Sequence, residues 1–181
     1  DTALGAGGGS WSLNAPMGTC DNAFAGNITF WNIVVVANPA TRQACSGTDT
    51  DQAQISMGNT GSPAITRDFI FSSPWASGSA TNMDIWIYQT TGAGNVNLKV
   101  TIGCMADGDT GTNFTYNATA NATVTFASTG PVKKMTINSI PTSGSSTCAV
   151  GSSAMVKVER DNTIGSNLAG AALILRTRLY Q

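Results

Sequence analysis

The fold class is decided by the stretch Val96-Asn97-Leu98-Lys99-Val100-Thr101-Ile102-Gly103-Cys104. Its apolar side chains recur at every second position, so one face of an extended chain is apolar and the other is polar. Such alternation is typical of a strand in an antiparallel sheet with one buried face. The preceding stretch at 83–88 repeats it, with Met83, Ile85 and Ile87 on one face. Because the turn-forming segment 89–95 separates the two, we predict that they form a β-hairpin.

The same alternation recurs along most of the chain. It predicts further strands at 122–126, 134–138, 154–159, 173–180, 28–37 and 65–71, and shorter ones at 11–13 and 54–57. In the last strand of the chain, we expect Leu173, Leu175 and Leu179 to lie opposite Arg176, Arg178 and Tyr180. With the shorter stretches counted only as weaker candidates, eight or nine strands in a chain of this length predict an all-β, antiparallel β-sandwich, for which a jelly roll is the most economical form. We assign residues 1–10 to a flexible, Gly-rich N-terminal arm and residues 11–181 to a single β-sandwich domain.

The charged and the apolar residues each argue against one class of partner. Charged residues make up 10% of the chain, and its formal net charge is −1. The lysines and arginines are scattered, so no basic patch indicates a nucleic-acid partner. No run approaches the roughly 18 apolar residues that a membrane span requires, so we expect no membrane partner.

Four cysteines are the disulfide candidates: Cys20, Cys45, Cys104 and Cys148. The chain has no histidine and no Cys-x-x-Cys pair, which excludes the usual zinc sites. An even number of cysteines favours two disulfides, and of the three connectivities we favour the sequence-local pairs Cys20–Cys45 and Cys104–Cys148. The alternative is that the thiols are free in the core. Disulfides would require exposure outside a reducing cytosol.

The chain also lacks the residues of common catalytic sites. Without histidine there is neither a Ser-His-Asp triad nor a Cys-His pair, and most carboxylates lie in turn-like contexts. We therefore predict that the protein is not an enzyme and has no catalytic residues and no cofactor. One loop could hold calcium, because Asp107, Asp109 and Asn113 supply oxygen ligands around glycines. The alternative interpretation of that loop is a polar turn.

The aromatic residues suggest a contact surface. Trp86 and Tyr88 alternate with the apolar face of their strand, and Arg176, Arg178 and Tyr180 share a face of the last strand. Apolar side chains on an otherwise polar face usually seek a partner, so we predict that these five residues form a subunit interface. The alternative is a platform on which sugars stack. The Asn-x-Thr motifs that begin at Asn113, Asn117 and Asn121 form a further polar strand face that could hydrogen-bond a neighbour or a sugar.

The order of motifs from about Arg67 to Tyr180 resembles that of jelly-roll virion proteins of tailed bacteriophages, namely head decoration or cement proteins, head fibres and tail fibres. The resemblance is carried by Phe71-Ser72-Ser73-Pro74-Trp75, the strand at 83–88, the segment at 94–100, Ala106-Asp107-Gly108-Asp109, Val158-Glu159-Arg160-Asp161 and the closing segment at 170–180. It implies an externally displayed structural β-sandwich that forms homo-oligomers, as trimers. Its partners would then be further copies of itself and other virion proteins such as the major capsid protein, and its location would be the virion surface.

The cysteines depart from this resemblance, because phage particles assemble in a reducing cytoplasm. An extracellular or cell-surface bacterial protein is therefore the alternative. In that case the chain would be an adhesin that binds a glycan or receptor, or the subunit of an extracellular filament joined by strand exchange.

Non-reducing peptide mapping tests the cysteine prediction. We expect two disulfides, Cys20–Cys45 and Cys104–Cys148, each closing a loop of a few tens of residues and adding roughly 3–4 kcal/mol to the free energy of unfolding. Four thiols that react with an alkylating agent in the native protein would contradict it.

Overall fold

The computed structural model describes residues 12–16, 32–33, 38, 40–43, 54–72, 75–76, 79–89, 91–105, 108–109 and 114–181. These residues form twelve β-strands and no helix. The strands are β1 (Ser12–Pro16), β2 (Asn32–Ile33), β3 (Thr41–Gln43), β4 (Gln54–Met57), β5 (Ala64–Ile70), β6 (Thr81–Gln89), β7 (Gly94–Met105), β8 (Thr115–Tyr116), β9 (Ala120–Phe126), β10 (Gly130–Ile140), β11 (Ser153–Arg160) and β12 (Ala172–Tyr180). Within these ranges, no helix is long and apolar enough to cross a membrane.

The strands pair into two antiparallel sheets, which confirms the predicted all-β sandwich. Sheet A has the order β10-β6-β12-β4-β3, and β1 pairs with β12 beyond the end of β4. Sheet B has the order β2-β5-β11-β7-β8, and β9 pairs with the first half of β7. Eight of the strands thus place the order β4-β12-β6-β10 against β5-β11-β7-β9, which is a jelly roll.

The core lies between the two sheets and is built from the alternating residues that the sequence displays. The inward side chains of sheet A include Met83, Ile85, Ile87, Met135, Ile137, Ile174 and Leu179. Those of sheet B include Ile65, Val96, Leu98, Val100, Ile102, Ala154, Val156 and Val158. Phe71 packs on Trp75 with ring centroids 4.2 Å apart at one end of this core. Removing this apolar area from water is the main favourable contribution to folding.

The predicted hairpin between the stretches at 83–88 and 96–104 is wrong. The first belongs to β6 in sheet A, and the second is β7 in sheet B. Their apolar faces belong to one core cluster, so the glycine-containing turn between them carries the chain across the sandwich. Gly92, with φ of 57°, allows the sharp change of direction.

The face assignment along β12 also needs correction. A register irregularity between Ile174 and Arg176 turns the strand, so that Ile174 pairs with the inward Ile87 and Leu173 pairs with the outward Tyr88. The predicted common face of Leu173, Leu175 and Leu179 is therefore wrong, because a β-bulge shifts alternation by one residue. The outward positions of Arg176, Arg178 and Tyr180 are as predicted, because these residues follow the bulge.

One of the two predicted disulfides is within the described residues and is confirmed. Cys104 on β7 is bonded to Cys148 in the loop between β10 and β11, with 5.3 Å between their Cα atoms. Ser146 of the same loop accepts a hydrogen bond from the Cys104 amide at 3.1 Å. Cys20 and Cys45 lie outside the described residues, as do the predicted arm at 1–10 and most of the predicted strand at 28–37.

The fully buried Arg160 at the end of β11 connects the two sheets. Its Nη1 donates to the carbonyl oxygens of Met57 at 2.7 Å and Gly170 at 2.8 Å. Its Nη2 donates to the carbonyl oxygen of Leu168 at 2.7 Å and to Oδ1 of Asn167 at 3.2 Å. Burial lowers the pKa of the guanidinium to about 10, so it keeps its charge at neutral pH. One side chain therefore donates hydrogen bonds to the backbone carbonyl oxygens at the end of β4 and in the loop that leads into β12.

The next residue, Asp161, fixes the start of that loop. Its carboxylate forms an ion pair with Lys99 at 2.8 Å and accepts hydrogen bonds from the hydroxyl and amide of Thr163 at 2.6 and 3.0 Å. The hydrogen bonds from Lys99 and Thr163 lower the pKa of this carboxyl to about 2. The amide of Asn97 lies 3.4 Å from the same carboxylate.

Replacing Arg160 by methionine should lower the free energy of unfolding by about 3–5 kcal/mol, because the carbonyl oxygens of the buried Met57 and Leu168 and of the partly buried Gly170 lose their donor. The measurement is a urea unfolding midpoint. Lys157→Met, which removes a partly exposed cation from the same strand, is the matched control and should change the midpoint little. A wild-type midpoint for Arg160→Met would contradict the bridging role of Arg160.

The stabilisation by Asp161 should depend on pH. Because its folded pKa lies below the unfolded value of about 3.9, the contribution is complete above about pH 4 and is lost as the pH falls through about 2. Asp161→Asn should cost roughly 1–2 kcal/mol at pH 7 and almost nothing near pH 2. Urea unfolding of both proteins between pH 2 and pH 7 measures this convergence, and a constant difference across that range would refute it.

Candidate binding face

The five residues predicted to form a contact surface lie together on the outward side of sheet A. Trp86 and Tyr88 project from β6, and Arg176, Arg178 and Tyr180 project from the neighbouring β12. The next strand, β10, adds Lys134 opposite Trp86 and Thr136 opposite Asp84. We call this set the aromatic–arginine face, and its members are Asp84, Trp86, Tyr88, Lys134, Thr136, Arg176, Arg178 and Tyr180.

Each arginine of the face lies over an aromatic ring of the same chain. The guanidinium carbon of Arg176 is 5.8 Å from the ring centroid of Trp86, and that of Arg178 is 4.9 Å from that of Tyr180. Contacts of this kind contribute roughly 0.5–1 kcal/mol at exposed sites. Both arginines are exposed, whereas the rings are partly buried. The arginines and rings that we predicted to form a subunit interface therefore already contact one another within one chain.

Asp84 lies at the centre of the face and is buried. Its Oδ1 accepts hydrogen bonds from the hydroxyls of Thr136 at 2.7 Å and Tyr180 at 3.4 Å. Its Oδ2 lies 3.5 Å from Nζ of Lys134. One carboxylate on β6 thus contacts a cation and a hydroxyl of β10 and the phenol of Tyr180 on β12.

The bulge in β12 sets the composition of the face. Beyond the irregularity, Arg176 pairs with Trp86 and Arg178 pairs with Asp84, so cations come to lie across from an aromatic ring and a carboxylate. Before it, Leu173 pairs with Tyr88 and is buried although it lies outside the core cluster. The face is therefore apolar at the end where Tyr88 lies and carries its positive charges beyond the bulge.

The outward side of sheet B is different. The hydroxyls of Thr123 and Thr125 on β9 donate to the side-chain oxygens of Asn97 and Asn95 on β7 at 2.9 and 2.8 Å. Of the predicted Asn/Thr face, Asn121 and Thr123 lie on β9, whereas Asn117 lies in the loop before it and accepts from the Ser146 amide, so the motifs do not form one continuous strand face. Of the Asn-x-Thr motifs, the one at Asn117 begins with a buried side chain, whereas Asn121 is exposed. Tyr116 is the aromatic group of this sheet face, with Lys157 5.3 Å from its centroid.

The predicted calcium ligands are only partly visible. Asp109 is described, but Asp107 and Asn113 lie outside the described residues, so the calcium site stays a prediction. Among the side chains that the structure places, no three of His, Cys, Asp or Glu converge as metal ligands.

Sequence reasoning missed Asp84, Lys134 and Thr136 as members of the face. Lys134 and Thr136 alternate with the inward Met135 and Ile137, which marks them as outward residues. Their position next to Trp86 and Asp84 follows only from the pairing of β10 with β6. No sequence pattern indicates that strands separated by three others are neighbours.

Comparison with known proteins shows the fold alone. No protein-family model matches the chain, and no curated protein is significantly similar to it. Among solved structures, the CBM22-2 xylan-binding domain of Xyn10C from Paenibacillus barcinonensis aligns with a TM-score of 0.51 at 14% identity, covering 92% of this chain and 97% of that chain. The family 11 carbohydrate-binding module from Clostridium thermocellum, solved with a β-1,3-1,4-mixed-linked tetrasaccharide, aligns with a TM-score of 0.52 at 13% identity, covering 96% of both chains.

A phage protein is also among the similar structures. The enzymatically active domain of tailspike protein 4 from bacteriophage CBA120 aligns with a TM-score of 0.47 at 13% identity, over 88% of this chain and 21% of that chain, and we draw nothing from that value. The comparisons thus support the β-sandwich that the phage resemblance implied. They do not support a phage virion family in particular.

Proposed function

We propose that this chain is a non-catalytic glycan-binding module, displayed outside the cell or on the surface of a virion. The aromatic–arginine face is its binding surface. The observation that carries the proposal is the grouping of Trp86, Tyr88 and Tyr180 with two exposed arginines on one outward sheet face.

The chemistry of this face suits a sugar polymer. Partly exposed aromatic rings offer flat apolar surfaces to the C–H faces of sugars, and neighbouring polar groups can bond the hydroxyls. The rings of Trp86 and Tyr180 are partly buried, and the Tyr180 hydroxyl donates a hydrogen bond to Asp84, so both rings have limited freedom before binding. A face whose side chains are already ordered loses less conformational entropy when it binds.

The solved structures with TM-scores above 0.5 add support, because two of them are described as a xylan-binding domain and a carbohydrate-binding module with a bound tetrasaccharide. Their identity to this chain is 13–14%, so they suggest a class of ligand and not a particular glycan.

A glycan array followed by titration calorimetry tests the proposal. We expect the full chain to bind at least one polysaccharide, and Trp86→Ala to weaken that binding by about 2 kcal/mol, or about 30-fold. Tyr116→Ala is the matched control, because Tyr116 also lies beside a cation on an outward sheet face, but on sheet B. Failure to bind any glycan, or equal losses in the two variants, would contradict the proposal.

A second candidate function is a structural contact in a homo-oligomer, such as a trimer on a virion surface. It is favoured by the apolar end of the same face, where Tyr88 lies opposite the buried Leu173. Light scattering on the same proteins separates the two functions. A wild-type trimer that Trp86→Ala converts to monomers would support the structural role, whereas a monomer with intact glycan binding would exclude it.

A further inference from the structure

We propose that the glycan taken by the aromatic–arginine face is anionic, with carboxylate or sulfate groups along its chain. The inference rests on the proposed function and specifies its ligand class. It is carried by the two exposed guanidinium groups, Arg176 and Arg178, which no described carboxylate neutralises.

The charge of the face is opposite to that of the chain. The described side chains of the face include three cations, Lys134, Arg176 and Arg178, and one carboxylate, Asp84. Its formal charge is therefore +2, whereas the whole chain carries −1. A local positive potential on a weakly acidic protein directs anions to this face and not to the surface in general.

The other cations described on the two outward sheet faces have carboxylate partners, and Lys133, at the edge of sheet A, donates to the carbonyl oxygen of Thr125 and lies over the ring of Phe126. Lys134 is paired with Asp84 at 3.5 Å. On sheet B, Lys99 is paired with Asp161 at 2.8 Å and Lys157 with Glu159 at 3.4 Å. Arg176 and Arg178 contact aromatic rings instead, so their charge remains available to a ligand.

The type and spacing of these cations suit acidic groups on a polymer. A guanidinium presents a planar fork of N–H donors that matches the two oxygens of a carboxylate or sulfate. Arg176 and Arg178 are separated by one residue of β12, so their side chains leave the same face of the strand about 7 Å apart. An anionic polymer lying across β12 and β6 would thus meet alternating cations and rings.

Rotation of an arginine away from its ring is favourable when an anion is present. The contact between Arg176 and Trp86 is long, at 5.8 Å, so little interaction is lost when the guanidinium turns towards an acidic group. The same movement uncovers the indole ring for stacking. A neutral sugar would gain the ring surface without the charge-assisted hydrogen bonds.

Matched pairs of polymers test the inference by affinity electrophoresis or calorimetry. The pairs are polygalacturonate with its methyl ester and glucuronoxylan with unsubstituted xylan, and a sulfated galactan beside plain galactan distinguishes sulfate from carboxylate. We expect the acidic member of at least one pair to bind on the order of tenfold more tightly than its neutral partner. This preference should shrink between about 0.05 and 0.5 M salt.

Charge variants locate the effect. Arg176→Gln and Arg178→Gln should each remove most of the preference for the acidic polymer while changing the unfolding midpoint little, and Arg176→Lys should keep part of the preference. Lys157→Gln removes one positive charge from sheet B and should not change the preference for the acidic polymer. Equal binding of both members of every pair, or equal losses with Lys157→Gln, would overturn the inference while leaving glycan binding intact. Binding of no polymer would instead overturn the proposed function.

Discussion

The buried guanidinium of Arg160 is the interaction on which the arrangement of the two sheets depends. It ends a strand of sheet B and bonds the backbone of β4 and of the loop that enters β12, both of which lead to sheet A. Hydrophobic burial alone does not fix how two apolar sheet faces sit on one another, because it has no direction. Hydrogen bonds from a planar, charged donor do have direction, and a buried carbonyl without a donor is costly.

The loop held by Arg160 also positions β12, the strand that carries three of the eight members of the aromatic–arginine face. The backbone of the loop joins β7 through Asn95, whose amide bonds Ser166 and whose carbonyl accepts from Leu168, both at 2.8 Å. Gly94 makes this close approach possible, because a Cβ atom there would lie 2.6 Å from the Cα of Leu168. The position of β12, and with it the position of the arginines of the face, therefore depends on contacts with sheet B.

The two outward faces differ in whether their polar groups already have partners within the chain. On sheet B, hydroxyls of β9 bond the side-chain oxygens of β7, and Lys157 pairs with Glu159 along β11. On sheet A, Asp84 bonds its neighbours, whereas the two arginines contact only aromatic rings among the described side chains. A surface whose polar groups are already paired gains little by binding, whereas unpaired guanidinium groups can gain charge-assisted bonds.

The sequence by itself determined the class of fold and the orientation of most strands. Alternation is a local property, since successive side chains of a strand point to opposite faces, so Val96–Ile102 and Met83–Ile87 reveal their buried sides without any partner. It also predicted that Trp86, Tyr88, Arg178 and Tyr180 face outward. The pairing of Cys104 with Cys148 was correct as well, although spacing alone left three connectivities open.

Only the tertiary structure decided which strands are neighbours. The turn between β6 and β7 looks like a hairpin turn in the sequence, yet it crosses the sandwich. Two strands in opposite sheets bury their apolar faces against each other, whereas two paired strands of one sheet leave the shared apolar face uncovered. The bulge in β12 is likewise invisible in Leu173–Arg176, since an extra residue in a strand shows itself only against its partner. That bulge and the pairing of β10 with β6 bring Arg176, Trp86 and Lys134 together, and with them the charge of the face.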